Sequence, residues 1–145
     1  MVATKILLVE DDPDEEQLAL IAFQQSGIRD CVVVARDGQE AVDYMLAQGA
    51  HKERDIKDVP RVVFLDINLP KLSGLEVLKR IRNDSRTSMV PIVLLTSSDE
   101  PRDKVEGYRS GANSFIRKPH DFDQFIANIH ELGSYWLDLN NSPYE

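Results

Sequence analysis

Five short β-branched runs alternate with five amphipathic stretches, and this alternation limits the fold more than any other feature of the chain. The apolar runs lie at 5–9, 31–35, 61–65, 91–96 and 113–117. Helical periodicity follows each of them, at 13–25, 39–48, 73–83, 101–110 and 121–139. The punctuation agrees. Pro13 after Asp12 and Pro101 after Glu100 suit a first helical turn. Gly27, Gly49 and Gly111 stand where helices should stop. Strict alternation predicts an α/β fold with a parallel sheet and helices on both faces. Val62-Val63-Phe64-Leu65 and Ile92-Val93-Leu94-Leu95 are continuous apolar runs, as strands covered on both sides are. Right-handed crossovers favour a doubly wound sheet, which binds ligands beyond the carboxyl ends of its strands.

What ends those strands is therefore informative. Ile6-Leu7-Leu8-Val9 runs into Glu10-Asp11-Asp12, Leu65 into Asp66, Leu95 into Thr96, and Phe115-Ile116-Arg117 into Lys118-Pro119. Side by side, these strands bring three acids and one lysine to a single edge. The remaining charge matches a divalent cation, since clustered carboxylates without a counter-ion repel and hold protons. Mg²⁺ takes oxygen ligands and keeps several waters. Asp11 and Asp66 are the expected direct ligands, Glu10 acts through water, and the backbone carbonyl of Asn68 supplies a further oxygen. Asp66 is the candidate nucleophile on phosphorus, forming an acyl phosphate. Lys118 pairs with one phosphoryl oxygen and the Thr96 hydroxyl donates to another. Ser97 and Ser98 leave room for the group.

Each part has an ordinary reading. Asp12 caps a helix, and a strand-end Thr or a Lys-Pro pair is usually a loop feature. The combination is far more specific, because every position maps to one sheet edge. Taken together, Glu10-Asp11-Asp12, Leu65-Asp66-Ile67-Asn68-Leu69-Pro70 with Gly74 beyond, Thr96-Ser97 and Lys118-Pro119 resemble the receiver domain of two-component response regulators. The resemblance covers residues 5–140. It implies a flavodoxin-like five-stranded sheet in order 2-1-3-4-5. It also implies Asp66 as phospho-acceptor, Glu10 and Asp11 as the acidic pair for Mg²⁺, and Thr96 with Phe115 as a switch pair. A cis peptide at Lys118-Pro119 is implied as well, which proline makes tolerable. Without the resemblance, a phenylalanine inside a strand is simply core.

A narrower resemblance is to the single-domain regulators that partner cyanobacterial and bacterial phytochromes. It rests on the long 48–60 connection, on Arg82-Asn83-Asp84 leading to the Val90–Ser98 run, and on Ser134-Tyr135-Trp136-Leu137. It implies a phytochrome-type sensor histidine kinase as phosphoryl donor. Phe122, Phe125, Ile126, Ile129, Leu132 and Trp136 recur near helical spacing and are expected in the core. Tyr135, Leu137 and Leu139 lie off that stripe, so the helix end is apolar on more than one side. Exposed apolar surface of this kind predicts a homodimer through the fourth helix, fifth strand and fifth helix.

Length and composition bound the rest. A chain of 145 residues suggests one domain, here a single receiver with an extended last helix and no output domain. A net charge of −8 argues against a nucleic-acid surface. The lone Cys31 allows no disulfide framework and is expected to be a buried thiol. The first strand begins by about residue 5, which leaves no room for a signal peptide, and no apolar run is long enough to span a membrane. A cytoplasmic location is expected. The charged 48–60 connection reads as a solvated loop. His51, His120 and His130 have no metal-ligand spacing.

Two other functions compete. A Mg²⁺ phosphatase of the haloacid dehalogenase type also uses a strand-end aspartate, but it expects an acid two residues on, where this chain has Asn68. A receiver that is never phosphorylated would not need Glu10, Asp11, Asp66, Thr96 and Lys118 together. Output through a phosphate relay or sink stays open at this stage.

Overall fold

Alternation of side chains along each strand builds this molecule from both sides of one sheet. The computed structural model describes residues 4–97 and 100–144. Strands β1 (Ile6–Val9), β2 (Val32–Ala35), β3 (Val62–Asp66), β4 (Ile92–Thr96) and β5 (Ser114–Arg117) are parallel, in order β2-β1-β3-β4-β5. Between and after them lie α1 (Pro13–Gln25), α2 (Gly38–Met45), α3 (Gly74–Asn83), α4 (Pro101–Arg109) and α5 (Phe122–Ser134). This is the expected doubly wound fold.

Leu7, Val9, Val63, Leu65, Ile92 and Leu94 point to the side covered by α2 and α3. Ile6, Leu8, Val62, Phe64, Val93 and Leu95 point to the side covered by α1 and α5. There Phe23 of α1 stacks on Phe64 at 5.9 Å. Burial is near complete along the central strands, as it must be for a parallel sheet sheathed on both faces.

Helix ends follow from their caps. Asp12 accepts from the backbone N–H of Asp14 and Glu15, Ser73 from that of Glu76, and Asp121 from those of Asp123 and Gln124. Gly27 and Gly111, at φ 73° and 106°, do stand where α1 and α4 stop. Gly49 does not end α2. The helix closes earlier, and Ala47 at φ 52° takes the left-handed turn.

Several expectations change here. The 48–60 connection is not merely solvated, because it folds onto Tyr44. The Arg54 guanidinium lies 3.8 Å from that ring centroid and donates to the Tyr44 and Asp58 carbonyls, while His51 meets the ring edge-on. Cys31 is half-buried, since it closes a 3-10 turn before β2 starts. Phe122 is 68% exposed, because the first residue of α5 stands clear of the sheet. The last helix leaves α geometry at Tyr135 and runs as a π turn through Leu139, with Asn140 N–H donating to the Tyr135 carbonyl. The wider turn keeps a four-residue step, so Leu137 follows Phe125, Ile129 and Gly133 into the core instead of lying off it. Arg61 Nη1 donates to the Leu137 carbonyl at 2.8 Å and fixes that turn to the start of β3.

Candidate functional site

The parallel register sets the ends of β1, β3, β4 and β5 together. Val9 pairs with Leu65, Asp66 with Leu95, and Thr96 with Arg117. One residue further on, Lys118 N–H donates to the Thr96 carbonyl at 2.7 Å. The chain thus delivers Glu10, Asp66, Thr96 and Lys118 to one edge, all of them buried.

Alternation divides them. Glu10 follows Leu8, Asp66 follows Phe64, and Lys118 follows Ile116, so these three fall on the α1/α5 side. Thr96 follows Leu94 and lies in phase with Phe115 across β5, on the α3/α4 side. A Cβ on Gly107 of α4 would come within 3.7 Å of the Phe115 ring, so that ring sits under α4.

On the α1/α5 side the geometry is tight. Lys118 Nζ donates to Glu10 Oε1 at 2.8 Å, to Asp66 Oδ2 at 2.8 Å and to Glu15 Oε2 at 2.6 Å. The other Asp66 oxygen accepts from Asn68 N–H at 3.1 Å, which folds the loop back over the carboxylate. Gly74 lets that loop close. A Cβ there would stand 2.1 Å from the Asp66 carbonyl oxygen. Gly38 serves the neighbouring turn in the same way, with the Leu72 carbonyl 2.1 Å from its absent Cβ.

Burial pushes the Glu10 carboxyl up to about 8, and the nearby Asp66 carboxylate adds to the effect, both against the pull of the Lys118 ammonium. Burial works against the charge on Lys118, but Asp66 and Glu10 outweigh it and hold its pKa above the ordinary lysine value. One ammonium among three acids leaves negative charge in a small, oxygen-lined space. Carboxylate oxygens of Glu10, Glu15 and Asp66 lie within 4.8 Å of one another, a donor set that suits a hard divalent cation.

The structure departs from the expected site in three ways. Asp11 is exposed and lies outside that carboxylate group. Glu15 joins it instead. Glu15 is one of three acids in the first turn of α1, and only the packing of that helix on the Glu10 side of the sheet singles it out. Finally, the Lys118–Pro119 peptide is trans, since there are no cis peptides among the described residues. The trans form is the lower in energy for most X–Pro bonds, and Lys118 reaches both strand-end carboxylates from it. Ser98 lies outside the described residues.

Residues 6–130 match the response regulator receiver domain. The chain belongs to the response regulator receiver family. This receiver is 37% identical over 139 residues to the probable methanogenesis regulatory protein FilR2 of Methanothrix harundinacea, spanning 95% of this chain and 86% of FilR2. Among solved structures, the phosphorylated cyanobacterial phytochrome response regulator RcpA superposes with a TM-score of 0.89 at 31% identity, covering 98% of this chain and 99% of RcpA. The Mn²⁺-bound form of response regulator Rcp1 superposes with a TM-score of 0.88 at 28% identity, covering 97% and 99%. A protein named Rcp1 from Synechocystis is 29% identical over 138 residues. This receiver is thus similar to phytochrome response regulators along nearly its whole length. No helix among its described residues is long and apolar enough to cross a membrane.

Proposed function

We propose that this receiver takes a phosphoryl group from a phytochrome-type sensor histidine kinase onto Asp66 and signals through altered protein contacts. The observation that carries the reading is Asp66 itself. It is a buried strand-end carboxylate gripped by Lys118 on one oxygen and by Asn68 N–H on the other. Similarity to phosphorylated RcpA, a phytochrome regulator, supports the donor class.

In the transfer, an Asp66 carboxylate oxygen attacks the phosphorus of a phosphohistidine. A P–O bond forms and the P–N bond breaks. The bonding pair stays on the imidazole nitrogen, which takes a proton from solvent. In hydrolysis water attacks phosphorus, the P–O bond to Asp66 breaks with its electron pair left on the carboxylate, and inorganic phosphate and a proton leave to solvent. Lys118 neutralises a phosphoryl oxygen, and Thr96 supplies a hydroxyl from the α4 side. Mg²⁺ would be held by Asp66, Asp11 and the Asn68 carbonyl, with Glu10 acting through water, and would neutralise the incoming oxygens; the acidic cluster and the Mn²⁺-bound Rcp1 structure support a divalent cation there. Thr96 and Phe115 form the switch, carrying the change to α4.

The chain acts as a signalling receiver without a separate metabolic activity. Asn68 in place of a second acid disfavours a turnover phosphatase. Output runs through a homodimer face on α4, β5 and α5, where Val105 and Tyr108 of α4 are 47% and 50% exposed and Tyr135, just after α5, is 46% exposed. Incubation with acetyl phosphate and Mg²⁺, read by intact mass, tests the assignment. One phosphoryl group is expected on the wild type and none on Asp66→Asn; a gain that survives Asp66→Asn overturns it.

A further inference from the structure

We propose that Glu15 is a positioning residue that holds Lys118 in the resting site and releases it when the phosphoryl group arrives. This rests on the reading of Asp66 as phospho-acceptor. A lysine ammonium has three N–H donors and no more. In this receiver all three are spent: on Glu10 at 2.8 Å, on Asp66 at 2.8 Å and on Glu15 at 2.6 Å. A phosphoryl oxygen can be engaged only after one of these contacts opens.

The three partners are not equivalent. The Glu10 side chain is 3% exposed, so abandoning it leaves a buried carboxyl unpaired, and Asp66, at 8%, stays beside Lys118 because it carries the incoming group. The Glu15 side chain is 33% exposed and regains water when it lets go. It also stands on α1, whereas Glu10, Asp66 and Lys118 belong to strand ends. Glu15 is therefore the contact that opens. While closed it stabilises the resting state alone, so it lowers the affinity of the site for a phosphoryl group by the strength of that ion pair. Rotation of a single surface carboxylate then makes Lys118 available, with no backbone movement.

The test uses the full chain and trifluoroberyllate with saturating Mg²⁺ as the phosphoryl mimic. Glu15→Gln and Glu15→Ala are expected to bind it about threefold to tenfold more tightly than wild type. In the metal-free protein, the Lys118 ammonium protons, followed by nitrogen-edited NMR, are expected to exchange faster with water in both variants. Mg²⁺ affinity measured separately by calorimetry distinguishes the other role Glu15 could have. A tenfold loss of Mg²⁺ affinity with weaker mimic binding makes Glu15 a cation ligand and overturns the proposal, as do unchanged mimic affinity and unchanged exchange. If the wild type itself binds no mimic, or Asp66→Asn binds it equally well, the phospho-acceptor reading fails instead.

Discussion

At the scale of single residues, the most consequential group in the resting protein is Glu10. Its carboxyl keeps a proton up to about pH 8 in the fold, against an ordinary value of 4.5. A carboxyl that binds its proton more tightly when folded stabilises the native state at low pH and loses that contribution as pH rises. The metal-free protein is therefore expected to lose stability from about pH 4.5 to about pH 8. Urea midpoints across that window measure the slope, and Glu10→Gln should flatten it; an equal slope in the variant would place the proton elsewhere. Glu10, Asp66, Thr96 and Lys118 were legible in the sequence because each directly ends a strand, and strand ends converge in a parallel sheet. Glu15 was not, because it reaches the cluster from a helix. Its contact depends on how α1 is rolled on the sheet, which spacing along the chain does not encode.

Among the elements, the β3–α3 connection shows how closely backbone must approach backbone to hold Asp66 in place. Gly74→Ala would drive a methyl group into the Asp66 carbonyl and the Ile67 Cα, at 2.1 and 2.7 Å. Neither atom is the free end of a side chain, so the loop itself must shift. The expected cost is about 3 kcal/mol, seen as a lower urea midpoint together with weaker binding of the phosphoryl mimic. A fully stable variant with unchanged mimic affinity would mean that the loop yields freely. All five strands and five helices could be read from period and punctuation. The π turn could not, since Tyr135-Trp136-Leu137 continues a helical pattern by composition. What selects the wider turn is tertiary: Leu137 packs into the core and gives its carbonyl to Arg61, which is distant in sequence. The fold onto Tyr44 was hidden for a similar reason. Arg54 reads as one charge among many until its place over the ring is known.

For the molecule as a whole, the prediction concerns association. Apolar side chains left exposed on α4 and after α5 predict a dimer whose population rises with trifluoroberyllate and Mg²⁺. Sedimentation of the wild type against Tyr108→Glu measures it. Loss of the dimer in the variant, with mimic binding retained, is the expected result; a monomer at high micromolar concentration in both states contradicts it.

The two-sided placement of the strand ends has a last consequence. Glu10, Glu15, Asp66 and Lys118 face one side of the sheet, while Thr96 and Phe115 face the other. On the proposed function, a donor that reaches Asp66 past Glu15 would come in over α1 and leave α4 and β5 uncovered. Writing and reading would then use separate entrances, and a reader seated on the far face would not have to leave before the next phosphoryl group is delivered.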